Sequence, residues 1–173
     1  MDNVDVMAKL FTPSNETKDL LKLMETETIQ IKVFDEACRP TVNENGDWID
    51  LRSMGDIVIQ PGEFKLIPLG IAMKLPEGYE AHIAPRSSTF KNYHLIQTNS
   101  VGVVDNSYCG PNDMWKMPVL RPFVADGESA SVIKKGDRIC QFRIMKKQPP
   151  INFVDSTLED QEDRGGFGST GVK

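Results

Sequence analysis

The chain has little with which to build several familiar kinds of site. Its three cysteines, Cys38, Cys109 and Cys140, are odd in number and show no C-x-x-C spacing, so they frame neither a disulfide scaffold nor a zinc centre and read as free thiols of a reducing cytosol. The two histidines, His82 and His94, stand without a second ligand at metal spacing and read as ordinary surface or strand residues. There is no G-x-S-x-G, no P-loop and no G-x-G-x-x-G, which removes the usual support for a serine nucleophile or a dinucleotide fold. Positive charge is short as well: 20 Lys and Arg against 25 Asp and Glu leave a net charge of -5, the wrong sign for a general nucleic-acid or membrane surface. An anionic small ligand then has to be held by a few local arginines. No apolar run reaches the length of a membrane span, and the start, MDNVDVMAKLF, lacks the basic flank and apolar core of a signal peptide. A cytoplasmic protein with no nucleic-acid and no membrane partner is expected.

What is present divides the chain in three. Residues 1–27 are expected to form an appendage, because Ser14 or Asn15 offers a helix cap and Leu20, Leu21, Leu23 and Met24 follow at helical spacing. Residues 28–160 read as β, and 161–173 form a glycine-rich arm. The β signal is a series of short apolar runs, IQIKVF, DIVIQ, FKLIPLGIAMKL, YEAHIA, SVGVV, ASVI, RICQFRIM and INFV, punctuated by turn clusters such as QPGE, PEGY and KKGDR. Many short strands with Pro and Gly punctuation predict an all-β sandwich or jelly roll. Between Pro85 and Leu95 one or two helical turns fit, with Ser87 or Ser88 near the start.

Polar residues that interrupt this pattern are the candidates for chemistry. In APRSS, Arg86 with Ser87 and Ser88 can present donors to an anion; structurally, a serine can equally cap the helix while Arg86 pairs a carboxylate. In NSVGVVDNSYCG a strand of small apolar residues delivers Asp105 to a turn that also holds Tyr108 and Gly110. Such an Asp usually bonds its own backbone and such a Tyr usually packs, yet the pair also suits a sugar-binding floor beside a water-activating base. In KKGDRICQ, Gln141 is a polar residue in an apolar run, equally read as a half-buried amide or a ligand contact. Asp50, in GDWIDLRS, opens a β region. The tail, RGGFGSTG, is flexible by composition, but Arg164, Phe167, Ser169 and Thr170 equip it to wrap phosphate oxygens, as a lid does.

Taken in order, DWIDLRS, APRSS, GVVDNSYCG, GDRICQ and RGGFGSTG resemble the five motifs of the trimeric dUTP pyrophosphatases (dUTPases), in the form carried by bacterial and phage members, and span Asp47 to Gly171. The resemblance implies a jelly roll, a homotrimer whose active sites draw on more than one subunit, and hydrolysis of dUTP to dUMP and pyrophosphate with Mg2+. It casts Asp105 as the base that activates water and Tyr108 as the ring beneath the deoxyribose that turns away a 2′-OH. Asn99 and the backbone around Val103 and Val104 would read uracil, and Arg86, Ser87 and Ser88 would hold phosphate. Gln141 would fix the triphosphate or a metal-bound water, and Asp50 would steady the metal's outer waters. Arg164, Ser169 and Thr170 would grip the terminal phosphate while Phe167 covers the base. The tail is two residues shorter between Arg164 and Phe167 than the family pattern, which offers Trp115 as a substitute cover, and the A-G pair that usually precedes the first aspartate is replaced by DWI.

That chemistry suits the residue set. Cleaving a phosphoanhydride asks for alignment and charge neutralisation more than for a protein nucleophile, and magnesium can be carried largely by the substrate's own phosphates, so no carboxylate cluster is required. Two rival readings share the fold. A dCTP deaminase would carry a catalytic glutamate after the Asp105 turn, where YCGPNDMWKMPV has none. A trimeric jelly roll used as a non-catalytic binding or regulatory module is the other, because fold alone does not dictate function.

Overall fold

The structure is a computed structural model and describes residues 14, 15, 17, 26–123, 129–159 and 161–165. Among them the chain forms eleven strands: β1 (Gln30–Val33), β2 (Ile49–Arg52), β3 (Ile57–Ile59), β4 (Phe64–Pro68), β5 (Ile71–Lys74), β6 (Tyr79–Pro85), β7 (Ile96–Gln97), β8 (Gly102–Val104), β9 (Lys116–Leu120), β10 (Ser131–Ile133) and β11 (Arg138–Lys146). A 3-10 turn (Glu36–Cys38) and one helix, α1 (Thr89–Tyr93), complete the set. All pairing is antiparallel, in a four-stranded sheet of order β2-β11-β6-β8, a three-stranded sheet β4-β9-β7 and the pairs β1-β5 and β3-β10. These sheets wrap one apolar core in the manner of a jelly roll, with Leu51, Ile67, Ile71, Trp115, Ile139 and Phe142 buried at its centre.

Most expected strands are found, and the exceptions have local causes. FKLIPLGIAMKL divides into β4 and β5 at Gly70, whose φ of 65° and close approach to Cys38 leave no room for a side chain: a Cβ there would lie 2.7 Å from the Cys38 Sγ. KMPVL, which Pro118 disguises, is β9, the middle strand of its sheet. The proline is tolerated because β7 ends before reaching it, and only its carbonyl is used on that side, by Thr98 N at 3.1 Å. INFV reads as a strand but has no ladder partner among the described residues, and Ile151, Phe153 and Val154 lie exposed. At the N-terminus, Ser14 Oγ accepts from Thr17 N at 3.1 Å, as a helix-capping serine does. The rest of the expected N-terminal helix lies outside the described residues. No helix among the described residues is long and apolar enough to cross a membrane. No disulfide forms; Cys38 and Cys140 are buried and Cys109 is exposed.

Candidate active site

The four-stranded sheet carries a charged cluster at one end. Gln141 on β11 stands opposite Asp50 on β2, so both side chains leave the same side of the sheet. Strict alternation would send Arg138 to the other side. A register shift between Arg138 and Cys140 prevents this: Ile139 and Cys140 are buried consecutively, and Arg138 emerges beside Gln141 and Asp50. The turn that feeds β11 places Gly136 at φ 84°, a conformation that favours glycine. Arg138 NH1 then donates to Asp50 Oδ2 at 3.1 Å. Arg86, just past β6, takes the other oxygen, Nε to Oδ1 at 2.7 Å, and its NH1 donates to Arg138 O at 3.4 Å. Gln141 Nε2 donates to Pro85 O at 3.2 Å, which leaves its amide oxygen as the acceptor. Behind the cluster the Cys140 thiol is pushed up by burial first and by the Asp50 charge second, so it stays neutral.

The serines beside Arg86 are not consumed by the helix. Ser88 stands at the N-cap position of α1 without a side-chain cap bond. The buried Thr89 fastens this corner instead, accepting from Arg86 N at 2.9 Å and donating to Ile139 O at 2.9 Å. Of the two structural explanations open for APRSS, the capping one does not hold and the pairing of Arg86 with a carboxylate does.

The second cluster is a hairpin built on backbone bonds. Asp105 follows β8, exposed, and Tyr108 N donates to its carbonyl at 3.0 Å. Asn106 ties the turn to the β5–β6 connection, donating to Leu75 O at 2.8 Å and Pro76 O at 2.9 Å. Gly110 N donates to Asp113 Oδ2 at 2.7 Å, and a Cβ on Gly110 would sit 2.8 Å from that oxygen. At the base, Gln97 Nε2 donates to Ile83 O at 3.0 Å, and a Cβ on Gly102 would press on Ile83 at 3.2 Å and on Asn99 Nδ2 at 3.5 Å. Asn99 is itself exposed. Val103, Val104, Asp105, Tyr108, Met114, Trp115 and Lys116 enclose a cavity of about 290 Å³, beside which the Tyr108 ring stands 42% exposed with its hydroxyl 3.4 Å from Met114 O.

Within one chain these clusters lie at opposite ends of β6. Val104 pairs with Ala81 near the start of that strand, whereas Arg86 follows its last residue, Pro85. At ~3.3 Å per residue, Asp105 and Arg86 are roughly 20 Å apart. The structure therefore joins Asp50, Arg86 and Gln141 in one group and Asp105, Tyr108, Val103 and Val104 in another. Arg164 is exposed, and Phe167, Ser169 and Thr170 lie outside the described residues. Trp115 corrects an expectation. It is 1% exposed and packs edge-on against Phe142 at 5.3 Å, so it walls the cavity from the core and cannot move over a base as a cover. Sequence reasoning missed Arg138, which only the bulge brings to the outer face, and Lys116, which opens β9 at the edge of the cavity. His82 Nε2 meets Glu80 Oε1 at 2.6 Å on β6, and His94 stacks on Phe90.

A jelly roll that carries a small arginine–carboxylate–amide cluster and a separate ring-and-carboxylate hairpin defines a class of protein that handles an anionic ligand with a planar part. The dUTPase family model matches residues 36–171, and the chain belongs to the dUTPase family. It is 56% identical over 146 residues to the SPbeta prophage-derived deoxyuridine 5'-triphosphate nucleotidohydrolase YosS of Bacillus subtilis, covering 84% of this chain and 99% of that one. Among solved structures, a mutant Staphylococcus bacteriophage 80alpha dUTPase with dUpNHpp superimposes with a TM-score of 0.69 at 25% identity, over 85% of this chain and all (100%) of that one. A mutant dUTPase from phage phi11 of S. aureus, described for its coordination of a structural Mg(II) ion, gives 0.63 at 21% identity over 76% of this chain and 99% of that one.

Proposed function

We propose that this chain is a dUTP diphosphatase in which Asp105 activates the attacking water. The oxygen of that water bonds to the α-phosphorus while its proton passes to the Asp105 carboxylate. The bond from the α-phosphorus to the bridging oxygen breaks, and pyrophosphate leaves with the electron pair, giving dUMP. The observation that carries this reading is the Asp105 carboxylate, held exposed by a turn that Tyr108 N and the Asn106 amide tie to backbone carbonyls, at the rim of a cavity that Tyr108 lines. Tyr108 supports the deoxyribose and leaves no space for a 2′-OH. Asn99 and the backbone of Val103 and Val104 read uracil, where each unmatched buried group costs a wrong base about 1–3 kcal/mol.

The separation along β6 supports a site shared between copies. One chain cannot set Asp105 against phosphates held by Arg86, Ser87, Ser88 and Gln141, whereas a homotrimer that brings the hairpin of one copy to the charged cluster of the next does so three times. Arg164, Ser169 and Thr170 of the arm then grip the terminal phosphate, and Phe167 covers the base. The protein acts in the cytoplasm on free dUTP.

A magnesium ion fits this donor set only as a passenger of the substrate. Among the described residues no three His, Cys, Asp or Glu side chains gather to hold a metal, and both oxygens of Asp50 already face guanidinium groups. Phosphate oxygens and water would supply most of its ligands, with Gln141 holding one of the waters through its amide oxygen. Its chemistry there would be to neutralise charge on the phosphates.

Pyrophosphate release from dUTP, UTP, dTTP and dCTP tests the assignment. Turnover of dUTP is expected to exceed each of the others by at least about 100-fold. Equal rates across the four, or ammonia released from dCTP, would overturn it.

A further inference from the structure

We propose that Arg138 is a second phosphate-holding cation of the site, and that Asp50 is the positioning residue that fixes Arg138 and Arg86 at one spacing. The inference rests on the dUTP-hydrolase reading and names two roles inside it. Asp50 lies between the two arginines and gives one oxygen to each, at 2.7 Å and 3.1 Å. Two guanidinium groups this close repel unless an anion stands between them. The Asp50 carboxylate is the anion that lets the two guanidinium groups stand side by side.

Arg138 has the attributes of a ligand-facing group. Its side chain is 50% exposed, and with Asn43, Asn45, Trp48, Asp50 and Arg52 it borders a polar cavity of about 360 Å³. The bulge serves this placement: without the extra residue, Arg138 and Gln141 would lie on opposite faces. Arg52, by contrast, is spent on the fold, with NH1 donating to Gly136 O at 2.8 Å in the turn that launches β11. The guanidinium fork of Arg138 has donors beyond the one given to Asp50, and phosphate oxygens are the acceptors it matches.

The sign of one measurement separates positioning from simple charge. Two arginines and one aspartate carry one net positive charge, and Asp50→Asn raises that to two. If the cluster acts by charge alone, pyrophosphate should bind more tightly to the variant. If Asp50 sets the spacing, the guanidinium groups splay and pyrophosphate binds less tightly despite the added charge.

The experiment is calorimetric titration of the full chain with inorganic pyrophosphate and, separately, with dUMP, for the wild type, Asp50→Asn, Arg138→Met, Arg138→Lys and the Asp50→Asn/Arg138→Met pair. Each is run at several magnesium concentrations, with thermal melts to confirm folding. Pyrophosphate affinity is expected to fall at least about tenfold in Asp50→Asn and in Arg138→Met, and dUMP affinity to stay within about twofold. Arg138→Lys should not recover the loss, and the double variant should be no weaker than the weaker single one, as for groups acting as a unit. Tighter pyrophosphate binding by Asp50→Asn, or full recovery by added magnesium, overturns the positioning role. Unchanged pyrophosphate affinity in a folded Arg138→Met overturns the role of Arg138. Wild-type turnover of dUTP is measured alongside: its absence would sink the hydrolase reading, whereas normal turnover with unaltered variants sinks only this inference.

Discussion

At one end of β6 the hairpin bearing Asp105 and Tyr108 is fixed by neutral bonds to backbone, from Asn106 to Leu75 O and Pro76 O and from Gln97 to Ile83 O. At the other end Arg86 and Arg138 are fixed largely by charge, through a single carboxylate. The two ways of holding suit different ligands. A base edge is read by donors and acceptors that must not shift, and bonds to main-chain carbonyls supply that. A phosphate chain presents equivalent oxygens at several angles, and arginines that can trade one oxyanion partner for another follow it. The hairpin end should therefore set which nucleotide is accepted, and the charged end how firmly its phosphates are held.

The largest expected effect falls on the hairpin. Asp105→Asn keeps the shape and the turn but removes the base, and kcat should fall about 1,000-fold, or ~4 kcal/mol, with an unchanged melting temperature. A variant that folds normally and retains more than a tenth of the wild-type rate would place the base elsewhere and dissolve the division between the two ends.

Mixing variants tests whether the ends meet across copies. Asp105→Asn and Arg86→Ala chains, each nearly inactive alone, should regain activity when unfolded together and refolded. Random assembly leaves about a quarter of shared sites with both ends intact. If recovery stays at the level of the unmixed variants while mixed assemblies are seen by mass, each site is built from one chain.

Tyr108→Ala comes next. With the ring beneath the sugar, as proposed, its loss should cut the preference for dUTP over UTP by about tenfold or more, mainly through better use of UTP. Pyrophosphate binding at the charged end should not change. A preference that survives intact would transfer sugar selection to another side chain.

These expectations also mark how far the sequence could be read. Strands such as DIVIQ and RICQFRIM announced themselves as short apolar runs between turn clusters, and the hairpin by small apolar residues leading to Asp105. Arg138 stayed hidden because a bulge changes the face of a residue without changing its spacing in the sequence, and two successive buried residues, Ile139 and Cys140, were the only trace. Trp115 misled for the opposite reason. An aromatic ring near the right motif looks available until packing against Phe142 shows that it belongs to the core. The separation of the two clusters is a property of strand order, and no pattern within a single strand reports it.

The smallest expected effect probes the neutral bonding itself. Asn106 makes no contact that requires a ligand; its Nδ2 spans two carbonyls of the β5–β6 connection. Asn106→Ala leaves Leu75 O and Pro76 O without that donor, at about 1–2 kcal/mol of folding stability. Because Asn106 is the neighbour of Asp105, the loosened turn should also raise KM for dUTP several-fold while kcat falls less, since the carboxylate is still present and only its pose is diluted. Pyrophosphate affinity, governed by the charged end, should stay constant. A matching loss of pyrophosphate affinity in Asn106→Ala would mean that the two ends are mechanically coupled through β6, and that the hairpin's rigidity serves the phosphates as much as the base.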